Sequence, residues 1–177
     1  MSDPQKKLLK ALIVGKPNVG KSTLLNSLVG EKVSIVSRKA QTTQRNTTGV
    51  ITKDNSQLIF FDTPGLNKIE KNIRISETFK TVAENVDVFI YMVDNTKKSQ
   101  SIDDQFKSWL KTNEDKFRKK ILIINKIDCI EKVSLFEITK KINGVINFDE
   151  TFFISLSKKS GMERFLNWVE KLSLIHI

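Results

Sequence analysis

The chain has 177 residues, enough for one domain with a single core, and its 39% hydrophobic and 28% charged content is ordinary for a globular protein. Its formal net charge of +10 suits a polyanionic partner, but the lysines are spread in short clusters such as Lys6-Lys7 and Lys116 to Lys120, without the interleaved aromatics of a base-stacking surface. No apolar run reaches the roughly 18 residues of a membrane-spanning helix, no secretory leader opens the sequence, and the one cysteine excludes an internal disulfide, so a reducing, cytosolic setting is expected.

In chain order, the apolar run over Leu9–Val14 reads as a buried strand, and Lys21–Val29 as a helix ending at Gly30. A polar stretch, Ala40 to Thr48, precedes two strands near Gly49–Thr52 and Gln57–Asp62, joined by the turn Asp54-Asn55-Ser56. Helical spacing returns over Ile73–Asn85, with Ile73, Phe79, Val82 and Val86 near one face. Val88–Val93 is continuously apolar, as a central strand covered on both sides must be. Then follow a helix at Ile102–Phe117 with Asp103 and Asp104 in its first turn, a strand at Ile121–Ile124, and a helix at Val133–Ile142. A strand at Thr151–Ile154 and a helix at Met162–Leu172 complete the pattern. One antiparallel pair followed by βα crossovers predicts a doubly wound α/β sheet with helices on both faces and ligand loops at the carboxyl ends of the strands.

Those loops carry the chemistry. Gly15-Lys16-Pro17-Asn18-Val19-Gly20-Lys21-Ser22 fits G-x-x-x-x-G-K-[ST] between a strand and a helix, the context that makes the pattern a phosphate-binding loop. Its glycines let successive N–H groups face an oxyanion at the positive end of the helix dipole. Lys21 is expected to reach the β- and γ-phosphates, and the Ser22 hydroxyl to ligate Mg²⁺. After the third strand comes Asp62-Thr63-Pro64-Gly65, where Asp62 is placed for Mg²⁺ and its waters and Gly65 can offer an N–H to a γ-phosphate. After the fifth strand comes Asn125-Lys126-Ile127-Asp128. A carboxylate at Asp128 can accept from both N1–H and the 2-amino group of guanine, donors that adenine lacks, and such a site discriminates by a factor on the order of 10⁴. Asn125 is expected to bridge to the P-loop, and the stem of Lys126 to cover the base face. Ser155-Leu156-Ser157 follows the last strand, where a backbone N–H would meet guanine O6. The segment Lys39–Thr48 offers hydroxyls able to close over Mg²⁺ as an order–disorder switch.

Together these loops carry the signature of the Ras-like GTPase superfamily, and within it the chain resembles the Era family of bacterial ribosome-assembly GTPases from about Leu8 to Leu172. The most family-specific segment is Lys39-Ala40-Gln41-Thr42-Thr43-Gln44-Arg45; Thr48-Gly49-Val50-Ile51-Thr52 and Phe61-Asp62-Thr63-Pro64-Gly65-Leu66 add to it. The resemblance implies a three-layer Ras-like P-loop GTPase fold with a mostly parallel six-stranded sheet and one antiparallel strand. It implies a switch that hydrolyses GTP to GDP and phosphate in small-subunit assembly, with GTP or GDP and Mg²⁺ bound. Nucleotide contacts are expected from Gly15, Lys16, Pro17, Asn18, Val19, Gly20, Lys21, Ser22 and Thr23, from Asp62, Thr63, Pro64, Gly65 and Leu66, and from Asn125, Lys126, Asp128, Ser155, Leu156 and Ser157. Mg²⁺ falls to Ser22, Asp62 and Thr43, with Thr42 the alternative to Thr43. The residues assigned to the reaction itself are Asn18, Lys21, Thr43 and Gly65.

Several positions depart from the family pattern or leave alternatives open. Leu66 occupies the place of the water-orienting glutamine of Ras-type proteins and cannot hydrogen-bond to water. In related GTPases with an apolar residue there, a P-loop asparagine ligates K⁺, so Asn18 is read either as a K⁺ ligand or as a turn residue. Leu156 replaces the family's alanine, placing a bulkier side chain near the base. Cys129 is read as a small buried side chain, and Trp109 and Trp168 as packing anchors. Era proteins carry a C-terminal KH domain that binds the 3′ end of small-subunit rRNA, and none is read here. The expected organisation is a tail at 1–7, a G domain at 8–172 and a tail at 173–177. The implied partners are a guanine nucleotide, the small ribosomal subunit and 16S rRNA, the RNA contacts weakened or lost without a KH domain. A monomer is expected, cytoplasmic or peripheral to the inner face of the cell membrane. Two other classes stay open: a nucleotide-binding module with little turnover, and a basic domain that binds RNA or a membrane surface.

Overall fold

The computed structural model describes residues 7–30, 48–53, 56–62, 77–96 and 100–174. Six strands, β1 (Lys7–Val14), β2 (Thr48–Lys53), β3 (Ser56–Asp62), β4 (Val88–Val93), β5 (Lys119–Ile124) and β6 (Glu150–Phe153), form one sheet in the order β2-β3-β1-β4-β5-β6. Only β2 runs antiparallel, paired to β3 from Thr48 opposite Phe61 to Lys53 opposite Ser56; the other pairings are parallel. The five α-helices among the described residues are α1 (Lys21–Gly30), α2 (Glu77–Ala83), α3 (Asp104–Asn113), α4 (Lys132–Asn143) and α5 (Met162–Leu174). The expected α/β architecture is the one observed.

Strand alternation sorts the core into two layers. Leu9, Ala11 and Ile13 of β1 and Val88, Ile90 and Met92 of β4 face α1 and α5. Leu12 and Val14, with Phe89, Tyr91 and Val93, face α2, α3 and α4. All six residues of β4 are buried, as its unbroken apolar run requires. Aromatic side chains anchor α5 to the sheet, where Phe165 and Trp168 meet Phe152 at 5.2 and 5.5 Å, and join α3 to α2, where Trp109 meets Phe79 at 4.9 Å. Each fully buried phenylalanine contributes about 2–3 kcal/mol through area removed from water, so Phe165, with no exposed surface, is a principal anchor of α5. Both tryptophans are partly buried against these layers, in keeping with a packing role.

The elements deviate from the sequence reading where apolar spacing carries no information. The helix expected at Ile102–Phe117 starts at Asp104, because the Asp103 carboxylate accepts from the N–H groups of Gln105 and Phe106 and caps it; Asp103 is thus the cap and not a first-turn residue. It ends in a 3-10 turn over Glu114–Lys116. β5 begins two residues early, at Lys119, whose ammonium reaches Asp149 while the Lys120 N–H donates to the Asp149 carboxylate. The helix expected over Ile73–Asn85 is described as Glu77–Ala83; Ile73 lies outside the described residues, as do Asp54 and Asn55 of the expected turn.

With β1 central and the chain passing to β3 on one side and β4 on the other, the carboxyl ends of β1, β3, β4, β5 and β6 share one edge at the topological switch point.

Candidate functional site

The glycine-bearing loop leaves β1 at Gly15 and enters α1 at Lys21, with Asn18 and Gly20 at φ of 65° and 111°. Left-handed backbone at Gly20 costs little only because it lacks a Cβ, and a Cβ there would strike the Asn125 side chain. At Gly15 a Cβ would strike the Met92 carbonyl oxygen, so the loop lies tight on the end of β4. The Lys21 side chain is buried, its ammonium donating to the carbonyls of Gly15 at 2.8 Å and Lys16 at 3.0 Å. It folds back across the loop that a phosphate would occupy. The first helical bond, from the Leu24 N–H to the Gly20 carbonyl, leaves the preceding N–H groups outside the helical ladder. Ser22 and Thr23 are exposed there, as are Pro17 and Asn18, while Val19 is buried. A compact loop closed by an ammonium at a helix N-terminus fits a polyphosphate.

Asn125 ends β5 buried, its own N–H bonded to the Val93 carbonyl. Its Nδ2 donates to the Val19 carbonyl at 2.8 Å, and its Oδ1 accepts from the Leu156 N–H at 3.2 Å. One amide therefore ties together the loops after β1, β5 and β6. Lys126 follows in the left-handed conformation, with φ 61° and ψ 36°. Its ammonium is bound at 2.6 Å by Asp94, a buried carboxylate at the end of β4.

Asp128 sits in a 3-10 turn, exposed to solvent. One oxygen accepts from the buried Ser155 hydroxyl at 2.5 Å, and the other from the Ser157 hydroxyl at 3.4 Å and the Cys129 thiol at 3.6 Å. The Ser155 bond, with smaller help from its own backbone, Cys129 and Ser157, outweighs desolvation and holds the carboxyl below the ordinary 3.8, so it is charged at neutral pH. A charged carboxylate steadied by hydroxyls is the acceptor that a pair of N–H donors needs. The Ser155 backbone is itself locked to Ser160 by two hydrogen bonds, of 2.9 and 3.1 Å.

Leu156 packs against the core, close to Gly20, and its N–H donates to Asn125 Oδ1. One expectation changes. Cys129 is exposed, not buried, because the 3-10 turn turns it outward beside Asp128. Asp62 closes β3 opposite Ile13 of β1, at the shared edge. Thr42, Thr43, Arg45, Thr63, Pro64, Gly65 and Leu66 lie outside the described residues. Asp94 and Thr96 belong to no motif, and the signal for them in the sequence is an apolar strand run ending on an acidic residue.

A strand, a tight glycine loop and a helix, joined through one buried asparagine to a carboxylate-bearing loop, define a P-loop nucleotide-binding domain. The chain belongs to the family described as 50S ribosome-binding GTPase, whose model matches residues 10–126. Over the aligned lengths the Era resemblance is borne out. The GTPase Era of Sinorhizobium medicae is 35% identical over 161 residues, covering 89% of this chain and 50% of that protein. That of Bordetella pertussis is 36% identical over 171 residues, covering 94% and 56%. Among solved structures, a tyrosine-to-alanine variant of Aquifex aeolicus Era bound to GDP·AlF4⁻ matches with a TM-score of 0.62 at 33% identity, covering 93% of this chain and 56% of that one. An Era in complex with MgGDPNP and nucleotides 1506–1542 of 16S ribosomal RNA matches with a TM-score of 0.63, again at 33% identity and with the same coverage. The G domain of the Thermotoga maritima FeoB iron transporter, 21% identical with a TM-score of 0.60, shares the fold; it covers 93% of this chain and 98% of that one. The chain spans about half the length of the curated relatives it matches. Among the described residues, no helix is long and apolar enough to cross a membrane.

Proposed function

We propose that this domain binds GTP and GDP and hydrolyses GTP as a switch serving assembly of the small ribosomal subunit. The observation that carries this reading is the Asn125 bridge, which fixes the phosphate loop and the Asp128 carboxylate in one rigid frame. The family description speaks of the large subunit, while the Era neighbour holds small-subunit RNA; the similarity to Era relatives over 89–94% of the chain favours the small subunit.

In this reading Lys21 neutralises the β- and γ-phosphates, and the loop N–H groups cradle them. Asp128 takes the N1–H and 2-amino donors of guanine, and the Lys126 stem covers the base. Ser22, Thr43 and Asp62 would hold Mg²⁺, whose charge offsets that building on the phosphoryl oxygens. Gly65 offers an N–H to the γ-phosphate. With Leu66 unable to orient water, intrinsic turnover is slow, and Asn18 serves as a K⁺ ligand. Its exposed position and left-handed backbone at the loop's mouth are compatible with that role.

Phosphate release from GTP and ATP tests the reading, measured with Mg²⁺ in KCl and in NaCl. The expected result is turnover of GTP alone, lost with EDTA or in Lys21→Ala, and faster in KCl. Equal turnover of ATP, or an unaffected Lys21→Ala, refutes the GTPase assignment. Equal rates in the two salts remove only Asn18 from its role.

A further inference from the structure

Two neighbouring loops make a contact that the motifs do not explain. Asp94 is 2% exposed, and burying a carboxylate is costly unless charge and hydrogen bonds offset its lost hydration. Here the Lys126 ammonium lies 2.6 Å from Oδ2, and Oδ1 accepts from the Thr96 N–H at 2.9 Å and its hydroxyl at 2.6 Å. Lys126 also has a left-handed backbone, which a residue with a Cβ adopts only when its surroundings enforce it. An unfavourable backbone and a buried charge thus meet in one pair of residues.

The consequence is mechanical. A lysine side chain has a flexible four-carbon stem, and an exposed one samples many rotamers. The stem of Lys126 is fixed at its root by the loop after β5 and at its tip by the end of β4. The neighbouring Asn95 side chain donates to the Cys129 carbonyl at 3.5 Å, a second tie between the same two loops.

We propose that Asp94 is a positioning residue for nucleotide recognition: by clamping the Lys126 ammonium, it holds the methylene stem as a preformed wall for the base. The inference rests on the guanine-nucleotide reading above. The clamp contributes affinity through preorganisation and leaves the choice of base to Asp128. Thr96 supports the clamp by holding Asp94.

The test is GDP, ADP and xanthosine diphosphate binding by the whole chain and its variants, with dissociation rates and melting curves. Asp94→Asn keeps the shape and removes the charge; it is expected to weaken GDP binding about ten-fold or more, mainly through faster dissociation, with the preference for GDP over xanthosine diphosphate unchanged. Lys126→Met keeps most of the apolar stem and removes the ammonium, so adding Asp94→Asn to it should change affinity by less than about two-fold, because coupled residues do not add. Thr96→Val, at an exposed position, keeps the fold testable and is expected to lose about three-fold. Wild-type affinity in both Asp94→Asn and Thr96→Val, or fully additive losses in the double variant, overturns the proposal. A wild-type chain with no preference for GDP over ADP overturns the guanine reading instead.

Discussion

Asn125→Ala removes a side chain that joins three loops. Two partners lose their hydrogen bonds: the carbonyl of Val19, a fully buried residue, and the N–H of Leu156, a half-buried one. An unsatisfied buried group costs about 1–3 kcal/mol, and the Leu156 N–H recovers part of its loss from water, so the total is about 2–4 kcal/mol. For a domain of this size, that lowers the melting midpoint by about 5–15 °C. Thermal unfolding by far-UV circular dichroism reads it, with Asn95→Ala as the control. Asn95 is exposed and makes a single 3.5 Å bond to the Cys129 carbonyl, so its loss is worth less than about 0.5 kcal/mol. A second readout is GDP affinity, which falls in Asn125→Ala because the phosphate and base loops no longer share a frame. If Asn125→Ala melts no lower than Asn95→Ala, the bridge is not what holds the site together.

Further outcomes follow from the same geometry. Gly20→Ala places a Cβ against Asn125 Nδ2 at a φ of 111°, so it is expected to destabilise the domain by about 2 kcal/mol or more and to weaken nucleotide binding; an unchanged urea midpoint contradicts this. The Asp128 carboxyl titrates below 3.8, so its ionised form, and whatever stability that form adds, is present above 3.8 and lost as pH falls through the lower folded value. Ser155→Ala removes the main cause and should move the carboxyl resonance titration of Asp128 up toward 3.8; an unmoved curve shows that the Ser155 hydroxyl does not set it.

The sheet was legible because its central strands are coded by burial on both faces: Val88–Val93 leaves no polar position to misplace. The edges were less so. Lys119 and Lys120 join β5 through backbone pairing while their side chains reach Asp149 and Glu114, and hydrophobic spacing cannot register a strand that begins on lysines. At the site, Gly15 to Ser22 and Asn125 to Asp128 could be read because local spacing is itself the chemistry. The clamp on Lys126 and the hydroxyls on Asp128 could not: Asp94 lies 32 residues away and Ser155 27. Only the parallel register that brings the ends of β4, β5 and β6 together makes them neighbours. Leu156 illustrates the same limit, since its packing on the core beside Gly20 could not be read from its identity.

In the proposed function, Asp128 makes this P-loop a guanine site. The most direct measurement is the ratio of GDP to xanthosine diphosphate affinity in the wild type and in Asp128→Asn. Xanthine carries a carbonyl where guanine has its 2-amino group, so an amide at position 128 suits xanthine and a carboxylate suits guanine. A strong wild-type preference for GDP is expected, with a reversal in Asp128→Asn spanning a factor on the order of 10⁴ between the two ratios. An Asp128→Asn variant that keeps the wild-type preference would contradict it.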